Sequence, residues 1–385
     1  MRIVTLNSGA YTNGNYLNTN SVSSNPNLKV ENSIEQEYGF DLGLTPNPGG
    51  NFFSYVGLNF TSWQRQGKNV VWPQPLAPSS GVTQLYTNYA SLSSAGVQFS
   101  LDAQVYESPT FGWELVSAFG HTLSKLDGTA DGQSIPLPYS SSGTYTLTPG
   151  QPIGTILGYK ALTSMQQKSP TGSYYLDQTM LANYQMVDGR VVNIATRGVQ
   201  FTTDKYNLGN TQPAFNISFT NSFHYKSFLN FSFQVDWISK QKTYNSTKEW
   251  MYSEGLHGDF DKSVNIGGES KPYTAYYKSF YDASESNGTK DYFLENSSFV
   301  RLRNVSVALD VAKLFKMPFK KCQVVLTGRN LLTFTKYTGF DPEANVNTSA
   351  GGTGSSAPQI ATQRGLDYWA FPNFKSYQIG VNFGL

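Results

Sequence analysis

The sequence is poor in charge, cysteine and histidine, and it has no long hydrophobic run. Charged residues make up 14% of its 385 residues, against roughly 25% in an ordinary soluble domain. The lone cysteine, Cys322, excludes an intrachain disulfide and any cysteine-based metal cluster. The three histidines, His121, His224 and His257, are widely separated and belong to no HExxH-type pattern. No stretch approaches about 18 uncharged apolar residues, which excludes a membrane-spanning helix. A net charge of +2, with no Lys/Arg cluster interleaved with aromatics, argues against a nucleic-acid partner. The start, Met1-Arg2 followed by IVTLNSG, lacks the apolar region of an export signal. Export information is expected on a preceding segment, or else the protein is not exported.

Aromatic residues and glycine are abundant. Aromatics reach 15%, with 25 Tyr, 25 Phe and 6 Trp, and there are 35 glycines. Aromatic side chains favour half-buried pleated sheet. The mean hydropathy of -0.37 looks soluble. A membrane barrel reaches the same value, because its lumen face and loops are polar.

Alternation with period two is the strongest pattern. In the last segment Tyr377, Ile379, Val381, Phe383 and Leu385 share one face, opposite Gln378, Gly380, Asn382 and Gly384. The same holds for Tyr38, Phe40, Leu42 and Leu44, for Val97 to Val105, for Phe231 to Trp237, and for Val305, Val307, Leu309 and Val311. Strands are expected near 34–44, 52–63, 95–106, 111–123, 215–225, 228–240, 299–313, 321–333 and 374–385, with RIVTLN at 2–7 as the end of a tenth. Most exceed the usual soluble strand of about 5–6 residues and approach a tilted membrane strand of about 9–11.

The connections alternate. TPNPGG at 45–50, ESPT at 107–110, KS at 226–227 and KMPFK at 316–320 are short turns, whereas 64–94, 124–214, 241–298 and 334–373 are long. Structureless loops of that length count against a compact soluble domain. Outer-membrane barrels combine short periplasmic turns with long extracellular loops, and a bilayer forces strands to close so that every backbone polar group is paired. A soluble β-sandwich with large insertions is the alternative. The strand count leaves the ring incomplete, so the chain reads as one portion of a barrel.

Residues for chemistry are sparse. Loop carboxylates Glu249, Glu254, Asp259, Asp261 and Glu269 would have to supply any glycosidase-type pair, and solvated loop charge is the simpler reading. DGTADG at 127–132 lacks the closing Glu of a calcium loop. Aromatics crowd two long loops: Tyr139, Tyr145, Tyr159, Tyr174 and Tyr175 in one, and Trp250, Tyr252, Tyr273, Tyr276, Tyr277, Phe280 and Tyr281 in the other. Among them Tyr139, Tyr145, Tyr174, Tyr175, Trp250, Tyr252, Tyr276 and Tyr277 are the candidate substrate or partner contacts, since exposed aromatics suit sugar rings and protein partners. The competing role is packing the loops onto one another. Trp63, Trp113, Trp237 and Phe334 fit interfacial girdles.

Six segments, in order, resemble SusC/RagA-like TonB-dependent outer-membrane transporters. They are NPNLKVENS at 25–33, GQPIGTILGYKA at 150–161, LGNTQPAF…FQVDW at 208–237, FVRLRNVSVALDV at 299–311, VVLTGRNLLTFTKYTGFDPE at 324–343 and FPNFKSYQIGVNFGL at 371–385. Val30 stands where the family has Trp, Asp310 replaces a Gly-Tyr step, and Leu385 ends the chain in place of an aromatic, leaving Phe383 nearest.

The resemblance implies an all-β fold, a transmembrane antiparallel β-barrel with long extracellular loops. Residues 1–385 would be its C-terminal portion, nine or ten of about 22 strands, with the N-terminal plug and first strands absent. It implies location in the outer membrane of a Gram-negative, Bacteroidetes-type cell. It also implies active import of glycan oligosaccharides or oligopeptides, energised by TonB through the missing N-terminal part, with a SusD-like surface lipoprotein as partner. No enzymatic activity, metal or cofactor is expected. A secreted carbohydrate-binding or carbohydrate-cleaving β protein is the rival reading, and a passive channel a third.

Overall fold

A computed structural model describes residues 6–384 apart from 12–13, 20–21, 24, 78, 80–83, 137–145, 282–289, 319 and 344–364. Nine strands form one antiparallel meander. They are β1 (Asn32–Leu44), β2 (Phe52–Pro75), β3 (Gln84–Glu107), β4 (Phe111–Thr129), β5 (Phe215–Tyr225), β6 (Leu229–Ser239), β7 (Phe299–Asp310), β8 (Lys321–Thr335) and β9 (Ser376–Gly384). Each pairs with its sequence neighbours, leaving β1 and β9 at the two edges.

All nine strands read from the alternation are present, with three departures. Leu6–Tyr11 does not join the wall; it pairs with Gly14–Thr19 in a separate hairpin, and the rest of RIVTLN lies outside the described residues. The segment 64–94 is mostly strand, because β2 and β3 continue well past the expected ends as a long hairpin. Val311 does not extend β7; it begins a short helix, Val311–Leu314, whose Lys313 N–H donates to the Asp310 side chain at 3.3 Å. A carboxylate at the N-cap satisfies an orphan donor there, and so ends the strand.

Register lines the apolar residues up around the sheet. Phe40, Phe60, Phe99, Phe119, Ile217, Trp237, Val300 and Phe334 form one transverse row. Tyr106, Trp113, Phe223, Phe231, Val307, Leu326 and Ile379 form another. Leu, Val and Ala fill most of the space between. From Phe111 to Phe119 the strand advances about 26 Å, close to the ~25 Å apolar band of a membrane barrel. The opposite face is polar or small, with Gly39, Thr61, Gln98, Gly120 and Asn216 in one row and Asp41, Asn59, Ser100, Ala118, Ser218 and Asp236 in the next. Trp63 departs from the girdle reading: it pairs with Glu37 and Gly96, on the face opposite Phe60.

The apolar face of the wall is bare. Tyr377 is 78% exposed, Ile379 74%, Val381 63% and Phe383 57%. Buried hydrophobic residues lie mostly in the connections, where Ile135, Leu147, Ile156, Val192, Tyr244, Tyr252, Phe280 and Phe293 share one cluster with Trp72 and Tyr89 from the far end of the β2–β3 hairpin. A soluble sandwich would hide the strand rows between two sheets. This molecule turns them outward and builds its dry core in the loop layer.

Candidate functional site

Straight alternation from Val305 and Val307 would send Arg303 and Arg301 to the apolar face. A bulge prevents it. Between Leu302 and Asn304 the pairing with β8 slips, and Arg303 lies opposite the extra residues Asn330 and Leu331. Asn330 takes the left-handed backbone, φ 53°, which Asn tolerates better than most residues. The extra residue re-aims a side chain, a common use of bulges. Both guanidinium groups then reach polar partners.

Those partners come from GFDPE at 339–343 and FPNF at 371–374. Arg301 Nη2 donates to Asp341 Oδ1 at 2.6 Å and its Nη1 to Glu343 at 2.5 Å. Arg303 holds Glu343 Oε1 at 2.7 Å and Asp236 Oδ2 at 2.7 Å. Asp341 also accepts the N–H of Glu343 at 2.9 Å and of Asn373 at 3.0 Å. Asn373 Nδ2 reaches Glu343 at 3.1 Å, and Asn330 donates to the Phe374 carbonyl at 3.0 Å. Arg301 and Asp341 are buried. Burial works against the Asp341 charge, but the Arg301 bond and the two N–H donors outweigh it and lower its pKa below the usual 3.8. Gly339 belongs to the same turn: a Cβ there would sit 2.5 Å from the Tyr337 ring, which is fixed by a 2.7 Å bond from its hydroxyl to Asp367. Two arginines on one wall strand thus pin the return of a long loop. Sequence reasoning quoted these motifs as family marks and missed them as a site; two arginines two apart in an apolar strand were the available signal.

The second constellation is the loop layer. Helix α1 (Ser246–Glu254) is capped by Asn245, whose side chain accepts the Lys248 N–H at 2.9 Å, and ends at Gly255 with φ 72°. Its Tyr252 sits among Phe260, Tyr277, Phe280, Tyr292 and Phe293, with ring centroids 5.4–6.5 Å away. The Tyr252 hydroxyl bonds Asp259 and lies 2.7 Å from that of Tyr292. Arg190 stacks over Phe280 and Tyr292, 5.3 Å from each centroid. The GYK segment joins in: Lys160 lies over Tyr206, the Tyr159 ring faces Lys205 and Lys290, and the Ala161 N–H donates to Asp291 at 3.1 Å.

This arrangement corrects part of the candidate contact set. Tyr252, Tyr276 and Tyr277 are buried; their rings pack the loops together and present no ligand surface. Tyr174 is exposed, beneath Lys168 at 4.6 Å. Tyr175 is half-buried and bonds Asp204 and Tyr206, and Trp250 is half-buried against Tyr281. Tyr139 and Tyr145 lie outside the described residues. The structure therefore does not gather the six described aromatics into one surface.

Catalytic geometry is poor. Glu249 is enclosed, accepting from Tyr244 at 2.8 Å and Ser246 at 3.2 Å. Burial raises its pKa above 4.5 against those two hydroxyls, yet a carboxyl so enclosed has no route to a substrate. Asp127 takes the Ser93 hydroxyl and Asp131 the Tyr89 hydroxyl, both at 2.7 Å. Among the described residues no three His, Cys, Asp or Glu side chains come together as a metal site.

No protein-family model matches the chain. Curated relatives do. "TonB-dependent receptor P3" of Formosa agariphila is 25% identical over 368 residues, 93% of this chain and 34% of that protein. "TonB-dependent receptor SusC" of Bacteroides thetaiotaomicron is 22% identical over 335 residues, 85% of this chain and 31% of that protein. The chain thus spans about a third of the length of the curated relatives it matches. Among solved structures the RagAB peptide transporter superposes with a TM-score of 0.64 at 18% identity, over 99% of this chain and 38% of that one. The meander and these relatives agree on an outer-membrane β-barrel fold, and over most of its length the chain is similar to the SusC/RagA-like TonB-dependent receptors.

Proposed function

We propose that this barrel segment serves the active import of large nutrients, glycan oligosaccharides or oligopeptides, across the outer membrane. In this reading residues 1–385 are the C-terminal wall and extracellular loops of a longer transporter, whose preceding strands close the ring and whose plug fills it. TonB supplies the energy through that preceding part, and a SusD-like lipoprotein covers the loop layer. Tyr174, Tyr175 and Trp250, together with Tyr139 and Tyr145 outside the described residues, remain the aromatic candidates for substrate or partner contact.

One observation carries the reading: a sheet with hydrocarbon rows on one side and a polar face on the other, topped by a folded loop layer. A wall of that kind needs lipid outside and water or protein inside. The relatives are named as receptors and a peptide importer.

The test is uptake of labelled oligosaccharide and peptide pools by cells carrying the intact transporter, with and without TonB. Accumulation that disappears on TonB deletion is the expected result. Uptake that persists marks a passive channel, and a fully soluble monomer in plain buffer defeats the reading altogether.

A further inference from the structure

Above the Phe40–Phe60–Phe99–Phe119 row the outward face of β1–β4 does not end. Tyr38, Ser62, Val97 and His121 form the next row up, followed by Gln36, Gln64, Ala95 and Leu123, then by Ile34, Gln66, Ser93 and Lys125. Each row climbs about 7 Å along the strands. Three hollows follow these rows. The lowest, about 430 Å³, and the next, about 490 Å³, share Gln64, Ala95 and Leu123. The highest, about 620 Å³, shares Gln66 and Ser93 with the middle one. Together they make one groove that starts at the aromatic girdle and rises away from it.

Small residues on β3 (Ser91, Ser93 and Ala95) form its floor, and longer polar side chains form its rims. Gln64 donates to Gln36 at 2.7 Å, a bond that uses one group of each amide. Of the three Lys/Arg side chains that line it, Arg65 is paired with Glu35 and Lys125 with Asp127 at 3.3 Å, and Lys68 stands in the highest hollow with no ion pair among the described residues.

We propose that this groove seats the sugar headgroup of an outer-leaflet glycolipid whose acyl chains lie on the phenylalanine row beneath it. Neutral amides and hydroxyls match the alternating donors and acceptors of a polyhydroxylated ring, and small floor residues admit its bulk. Continuity with the lipid face selects the occupant. Acyl chains held on the girdle keep the attached sugars at high effective concentration beside the groove, as any tether does. A second copy of the chain fits less well: protein interfaces need aromatic or Arg anchors at their centre, whereas here Tyr38 and Trp63 line only the lowest hollow beside the girdle, Tyr89 in the highest is itself buried, and the middle hollow offers Ile34, Leu123 and an Arg65 already paired with Glu35. The proposal rests on outer-membrane placement and is independent of whether the barrel imports anything.

The intact transporter, extracted from outer membranes in mild detergent, would be assayed for copurifying glycolipid by native mass spectrometry and sugar analysis. Unaltered protein should retain glycolipid in stoichiometric amounts. Ser93→Trp, which fills the floor, and the pair Gln36→Ala with Gln64→Ala, which removes the rim, should each lower retention about tenfold, the effect of losing one or two net hydrogen bonds. Met186→Trp, on an exposed loop outside the groove, should not. Heat-modifiable migration reports that each barrel is folded; should Ser93→Trp fail to accumulate, the paired alanine variant decides. Equal retention in all variants overturns the proposal, and so does efficient disulfide dimerisation of Ser93→Cys, which would place a second copy in the groove. Uptake would persist in the groove variants if the transport reading alone is right.

Discussion

The wall and the loop layer obey opposite rules. In the wall, large apolar side chains point away from the protein and the strands contribute few buried residues. In the loop layer, Tyr244, Tyr252, Phe280 and Phe293 are fully enclosed and packed at the ring separations of a protein interior. One region uses lipid as its core. The other carries its own. The contrast explains how long connections stay ordered without secondary structure of usual length: about 3 or 4 residues of strand at a time are held by side chains that exclude water, rather than by ladders.

The two arginines that pin the loop's return, Arg301 and Arg303, join the two regions, so they are the first place to break the comparison. Arg301→Ala should cost about 3–5 kcal/mol, because it leaves Asp341 buried beside no guanidinium of its own. The expected readout is faster proteolytic cleavage between Tyr337 and Asn373 in an otherwise folded barrel. Unchanged protease resistance would mean that the loop is held by something else. Next comes the wall itself. Val381→Arg puts a charge on the lipid face and should cost about 2–4 kcal/mol near the midplane, whereas Asn382→Arg on the polar face should be much milder. Folded yield in the outer membrane, scored by heat-modifiable migration, checks both. Equal tolerance would erase the distinction between the faces.

The two regions were also unequally legible. All nine wall strands follow from period-two alternation, because a sheet wetted on one side and oiled on the other must alternate residue by residue. Where a second constraint entered, alternation misled. Arg301 and Arg303 share sequence parity with Val305, and only the bulge places them inward. Val311 continues the pattern, yet Asp310 caps a helix there. In the loop layer there is no period to read. Tyr252 and Tyr174 look alike in the sequence, and one is enclosed while the other is exposed. Which aromatic is buried depends on contacts between segments far apart, such as Tyr252 with Tyr292 and Arg190 with Phe280, and a local pattern carries no such information.

A subtler change sharpens the claim that the layer is a true core. Tyr252→Phe keeps the ring and removes a hydroxyl shared between Asp259 and Tyr292. Asp259 retains Lys262 at 2.6 Å, so the loss should be about 1 kcal/mol, that of one net hydrogen bond. Hydrogen exchange at the amides of α1 would read it. No change there would show that packing alone holds the helix.

The smallest effect concerns pH. Glu249 lies in the layer with its pKa raised above 4.5 by burial, while the Tyr244 and Ser246 hydroxyls pull the other way. A folded-state pKa above the unfolded one means that the folded layer binds the proton more tightly. Its contribution is therefore complete below pH 4.5, declines as pH climbs toward the folded value, and stays lower at neutral pH. Glu249→Gln keeps the shape and cannot titrate. Its layer should lose less stability between acid and neutral pH than the unaltered one, with the difference greatest at neutral pH. Exchange rates of the amides at 244–254, followed across that window, make the measurement. A layer that grows firmer as pH rises, with the same slope in both proteins, would mean that Glu249 is wetted and that water reaches what the aromatic cluster is claimed to exclude.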